Sequence, residues 1–111
     1  MPRAIFGRAV VTTANLSPEI RANVRLIHER SVVAHRQNML SMWTIYDRPR
    51  DYPVGHIARR YDVGGDLDEP RASGDAIIGE LETIRESMMR CGLTCMMRDP
   101  NDHPTVLETW L

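Results

Sequence analysis

The sequence predicts an α+β fold: a small antiparallel sheet in the order β-β-α-β-β with one packed helix, preceded by an N-terminal helix. Three observations carry this. Two runs rich in aromatic and β-branched residues, "MWTIYD" (42–47) and "HIARRYDV" (56–63), flank a loop dense in Asp, Arg and Pro. Ile77, Leu81, Ile84 and Met88 recur at helical spacing within 75–92. "LTCMMR" (93–98) and "TVLETWL" (105–111) enclose the turn "DPNDHP".

In chain order, residues 1–16 show little pattern, although "AIFGRAVVTT" fits a short strand. A helix is predicted over 18–38. Ser17 is a good N-cap, Pro18 suits the first helical position, and Glu19 complements the helix dipole. Ile20, Val24, Ile27 and Ala34 form its apolar stripe; Ser31 and Asn38 interrupt it, and Leu26 and Val33 point elsewhere. After the first hairpin, Gly64, Gly65, Asp66, Asp68 and Pro70 predict a loop. The helix over 75–92 is expected to start at a Ser73 or Asp75 cap and to end at Arg90 and Gly92.

The strands carry apolar residues on both faces. Trp43 and Ile45 alternate with Thr44 and Tyr46, and Val106 and Trp110 with Leu107 and Leu111. A sheet with one wet face alternates apolar and polar residues more cleanly. A second cover is therefore expected, either the N-terminal helix or another copy of the chain. A module of about 70 residues is marginal alone, which points the same way.

The 111 residues make one small domain. The net charge of −1 predicts no strong overall attraction to nucleic acid or anionic membranes. It hides an asymmetry: residues 1–41 hold six Arg against two Glu, and 42–111 hold eight Arg against thirteen acids. These opposite halves can attract each other within or between chains. All fourteen basic residues are Arg. Pattern and charge change near Met39 and Met42, so residues 1–41 are expected to be a dispensable extension with a basic helix, the natural start lying at one of those methionines. Residues 42–111 are expected to be the folded domain. No apolar run reaches the roughly 18 residues of a membrane span, and "AVV" (9–11) is too short for a secretory signal. A bacterial cytoplasmic protein is expected.

The best candidate site is the 47–56 loop. Asp47 and Asp51 near His56 can do acid–base work, and Arg48 with Arg50 can clamp an anion. The competing expectation is a stiff turn, with Asp47 bonding its own backbone, Pro49 and Pro53 rigid, and Arg–Asp pairs tying it down. Arg59 and Arg60 are adjacent on a strand and face opposite ways; the inward one is expected to pair with a helix acid, Glu82 or Glu86. Arg21, Arg25, His28, His35 and Arg36 share a basic helical face that can lie along phosphates.

No metal site and no cofactor are expected. Cys91 and Cys95 with His103 lack a zinc signature, and Met88, Met89, Met96 and Met97 suggest a soft core around them. "DLDEP" (66–70) fails the calcium-loop pattern, with Arg71 where Gly is needed and Ile77 where Glu is needed. No glycine-rich phosphate cradle, G-x-S-x-G or H-E-x-x-H occurs.

"WTIYDRPRDYP…ARRYDV" and the terminal "RDPNDHPTVLETWL" resemble a group of small uncharacterised bacterial proteins. The resemblance spans roughly 42–111 and implies a self-contained unit there. It implies no activity, cofactor or catalytic residue. The leading expectation is thus a non-catalytic module that forms a homodimer or binds another protein, through the second sheet face or the edge beside the C-terminal strand. Nucleic-acid binding by the 18–38 helix is the alternative, and a small enzyme built on Asp47, Asp51 and His56 comes third.

Overall fold

The computed structural model describes residues 16–111; the expected strand at 4–13 lies outside them. The elements are α1 (Pro18–Arg36), β1 (Met39–Asp47), β2 (His56–Gly64), β3 (Arg71–Gly79), α2 (Leu81–Arg90), β4 (Cys95–Met97) and β5 (Val106–Trp110). The α+β class stands. The strands form one antiparallel sheet in the order β3-β2-β1-β5-β4, with β1 at its centre.

The sheet has a fifth strand where the sequence reading placed a loop and a helix start. Ile77 lies at helical distance from Leu81, yet it sits in β3 opposite Ala58. Gly74 and Gly79 have φ of +90° and +152°, which no helix accommodates. The β-branched pair Ile77–Ile78 between them suits a strand. Helix α2 begins only after Gly79, with Glu80 as an N-cap that makes no side-chain capping bond.

Helix α1 follows its sequence signals. The Ile20 N–H donates to Ser17 Oγ at 3.1 Å, with Pro18 in the first turn. It does not cover the second sheet face; it packs beside α2 on the same face. Ile27 of α1 meets Trp43, Ile45, Ile84 and Met88 in the core, and Asn23 Nδ2 donates to Ser87 Oγ of α2 at 3.1 Å. Each such buried side chain contributes roughly 1.5–3 kcal/mol. Ala34 is also buried and β1 starts at Met39, so a cut between 41 and 42 runs through a strand.

In β5, Trp110 pairs with Trp43, Glu108 with Ile45 and Val106 with Tyr46. Leu107 is the extra residue of a bulge, so Val106 and Trp110 face opposite sides, against the simple alternation expected. Both indole Nε1–H groups, of Trp43 and Trp110, are buried without a partner among the described residues.

Beneath the helices runs an ionic chain. Arg60, opposite Trp43, donates from Nε to Asp75 Oδ2 at 2.8 Å and from Nη1 to Asp62 Oδ1 at 2.7 Å. Arg30 of α1 reaches the same Asp75 oxygen at 3.1 Å, and Arg71 reaches Asp62 at 3.2 Å. Arg60 thus pairs with strand acids and not with Glu82 or Glu86, which bind Arg85 and Arg90 on their own helix. Strand neighbours lie nearer than the helix acids. Burial alone raises the pKa of Asp62 and Asp75, but the hydrogen bonds from Arg60, with Arg71 or Arg30, outweigh it and hold both below the ordinary carboxylate range.

Candidate functional site

The side chains of the sheet face that neither described helix covers fall in cross-strand ranks fixed by the register. One rank is Ile78–Ile57–Tyr46–Val106, and the next is Ala76–Arg59–Thr44–Thr109–Met96, crossing all five strands. Ala72, Tyr61 and Met42 follow, then Val63 with Leu40. The middle is already dry: Thr44, Ile57 and Val106 are 6%, 8% and 7% exposed. The margins are open, with Leu40, Ile78 and Met96 at 60%, 55% and 50%.

The polar groups of this face satisfy one another. Tyr46 and Tyr61 hydroxyls are 2.6 Å apart, and those of Thr44 and Thr109 are 3.4 Å apart. Arg59 Nη2 donates to Asp51 Oδ2 at 2.6 Å, while its guanidinium carbon lies 5.2 Å from the centre of the Tyr46 ring. Burial, then the bond to Tyr61, push the Tyr46 phenol well above its ordinary range. The Arg59 bond, opposed by slight desolvation, pulls the exposed Asp51 carboxyl below its ordinary range.

The 47–56 loop divides the residues that the sequence grouped. Asp47 pairs with His56 at the hairpin end, and its Oδ1 lies 3.3 Å from His56 Nε2 and 3.1 Å from Arg48 Nε. Asp51 leaves this group for Arg59, so the Asp47–Asp51–His56 set is split. The turn is tied by backbone: Arg48 N–H to Gly55 O at 2.8 Å, Tyr52 N–H to Pro49 O at 2.9 Å, and Asp47 N–H to Thr105 O at 2.7 Å. Its Asp47 carboxylate binds side chains, not the turn backbone expected of it. Arg48 has φ of +46°, a left-handed conformation costing about 1 kcal/mol. Arg50 is exposed and makes no ion pair among the described residues.

Asp47, Arg48, Tyr52 and His56 line an open cleft of about 740 Å³ with Glu19 and Glu80. It lies where both helices begin. Gly79 makes room for it: a Cβ there would come within 3.2 Å of Glu19 Oε2. Sequence reading missed Glu19 and Glu80 because they are distant in the chain and carry only a helix-start signal. Asp47 can orient the His56 ring, the arrangement a general base uses.

Arg21, Arg25, His28, His35 and Arg36 are all exposed on α1, as a basic face requires. Arg21, Arg25 and Arg36 make no ion pair with any described residue. The soft core expected around the cysteines does not form: Met88 is buried, while Met89, Met96 and Met97 are exposed. Cys91 is partly buried, and Cys95 is exposed with Sγ donating to Glu108 Oε2 at 3.0 Å. Burial pushes the Cys91 thiol up to about 11; burial, then the Glu108 bond, push Cys95 up to about 11. Among the described residues no His, Cys, Asp or Glu cluster can hold a metal ion, and no helix is long and apolar enough to cross a membrane.

No protein-family model matches the chain, and no curated protein and no solved structure does so either.

Proposed function

We propose that this chain is a small non-catalytic interaction protein of the bacterial cytoplasm, working through the uncovered face of its sheet. One observation carries the reading: both described helices pack on the same face, leaving the five-stranded opposite face with open apolar margins at Leu40, Ile78 and Met96. Such a face is an association surface when its margins stay apolar. The test uses the full tagged chain in a bacterial host, sized in cell extract. The wild type is expected to migrate above the size of a single chain. Ile78→Glu should return it to single-chain size with an unchanged circular dichroism spectrum. A wild type that always migrates as one chain would sink the reading.

A second reading is favoured by the arginines of α1 that pair with no described residue. Arg21, Arg25 and Arg36, with His28 and His35, would lie along a nucleic-acid backbone. Its signature is salt-sensitive retention of duplex DNA that disappears in Arg21→Glu/Arg25→Glu. Retention unchanged in that variant would exclude it.

A further inference from the structure

We propose that the occupant of the sheet face left open by the described residues is a second copy of this chain, related by a two-fold axis that lies between the sheets along β1. This rests on the reading of that face as an interface, and specifies its partner. The face carries a projection and a recess at opposite ends of one rank. The projection is Met96 on β4, half exposed. The recess, about 130 Å³, lies between β2 and β3, where Ser73, Gly74 and Asp75 all stand opposite Arg60. Besides Arg60, Gly74 and Asp75 it is lined by Arg59, Tyr61, Ala72 and Ala76, and Gly74 has nothing within 4 Å of where a Cβ would sit. Its volume is that of about four waters, the scale of one thioether side chain.

β1 is the central strand, with β3 two strands away on one side and β4 two strands away on the other. Each lies about 10 Å from β1. Rotation by 180° about an axis along β1 exchanges the two positions. Met96 of each copy then enters the Gly74 recess of the other. This is the isologous contact that a two-fold interface requires.

Charge is compatible with this. The single arginine of the ranks, Arg59, is neutralised by Asp51, so two identical faces meet without like-charge repulsion. The Tyr46–Tyr61 and Thr44–Thr109 pairs hold their hydrogen bonds inside one copy, which keeps the cost of excluding water low. Five strands span about 24 Å, and the projected face is on the order of 500 Å² before side-chain relief is counted. That is below the roughly 800 Å² per partner of a standard interface, and with Thr44, Ile57 and Val106 already buried the contact is a small one carried by the margins.

The test is disulfide trapping of the full chain carrying Ala76→Cys and Met96→Cys in a Cys95→Ser background. Within one copy these positions are four strand spacings apart, about 19 Å, and cannot be bridged. Purified wild type is expected at twice the single-chain mass by light scattering. Mild oxidation should link the double variant into covalent dimers, while neither single-cysteine variant links. Met96→Glu should give single chains, and Met97→Glu, on the same strand but the other face, should leave the dimer intact. Dimers that never trap through 76–96 would overturn the arrangement. Purified wild type that stays a single chain would overturn the second copy as occupant. If Ile78→Glu still abolishes a larger complex in cell extract, the face serves a different polypeptide and the broader reading survives; without such a complex, both fall.

Discussion

Tyr46 and Tyr61, on neighbouring strands, share a 2.6 Å hydrogen bond at the centre of the uncovered face. Arg59, between them in sequence register, is drawn toward the Tyr46 ring and held by Asp51. The middle of the face is thereby polar in composition but satisfied in its bonding.

Alkaline titration should detect this. Tyr46 is pushed above its ordinary pKa by burial and then by Tyr61, so its folded form keeps its proton where an unfolded chain loses it. The associated stability is fully present below about pH 10 and declines as pH rises from there toward the higher folded value. Ultraviolet-monitored titration should show a tyrosine that ionises only with unfolding. In Tyr61→Phe, ionisation of Tyr46 should move to lower pH. A Tyr46 that ionises near pH 10 in the folded protein would contradict the geometry.

The ionic chain under α1 predicts a large asymmetric effect. Arg60→Ala leaves the buried Asp62 and the half-buried Asp75 with only Arg71 and Arg30 as partners, and should cost about 3 kcal/mol in urea unfolding, the low end for a broken buried pair. Both carboxylates titrate below their ordinary range, so their contribution is present above about pH 4 and is lost as pH falls through the folded values. The wild type should lose stability between pH 4 and pH 2 more steeply than Arg60→Ala. Equal slopes would show that Arg60 does not hold these carboxylates.

Helix α1 fills the core, so Ile27→Ala should cost about 2–5 kcal/mol. A chain starting at Met42 loses all of α1 and the first residues of β1, and should show no cooperative thermal transition. A cooperative transition in that chain would mean that the sheet and α2 suffice for a core.

Cys95 is exposed yet should react slowly. Partial desolvation and then the Glu108 carboxylate keep it a thiol at neutral pH, with a pKa of about 11. Alkylation by iodoacetamide should accelerate as pH rises toward that value, and Glu108→Gln should make Cys95 react faster at pH 8. An unchanged rate in Glu108→Gln would remove the proposed cause.

The fold class, the α1 cap and the first hairpin were legible because each is a local signal: Ser17–Pro18, and the β-branched residues on either side of a Pro-rich loop. β3 was not, since Ile77 fits a strand and the helical spacing of Leu81 and Ile84 equally well. What decides between them is pairing with β2, a long-range term. The side chosen by α1 was likewise beyond its sequence, because its weak apolar stripe does not say which sheet face it meets. Asp51 near Asp47 and His56 in sequence suggested one site, but Asp51 binds Arg59 on the other side of the sheet. The two-sided apolar pattern of β1 was legible, and it marks the face on which the proposal rests.

The two outer strands also limit growth of the sheet. β4 offers only three residues for further pairing, and β3 is interrupted by Gly74 within its bulge. Among the described residues, neither rim presents a long straight row of unpaired N–H and C=O groups to a neighbouring molecule. Sideways addition of chain after chain, the route to ribbons and fibres, finds no good template on these strands, whereas the proposed pairing through the flat of the sheet closes and stops.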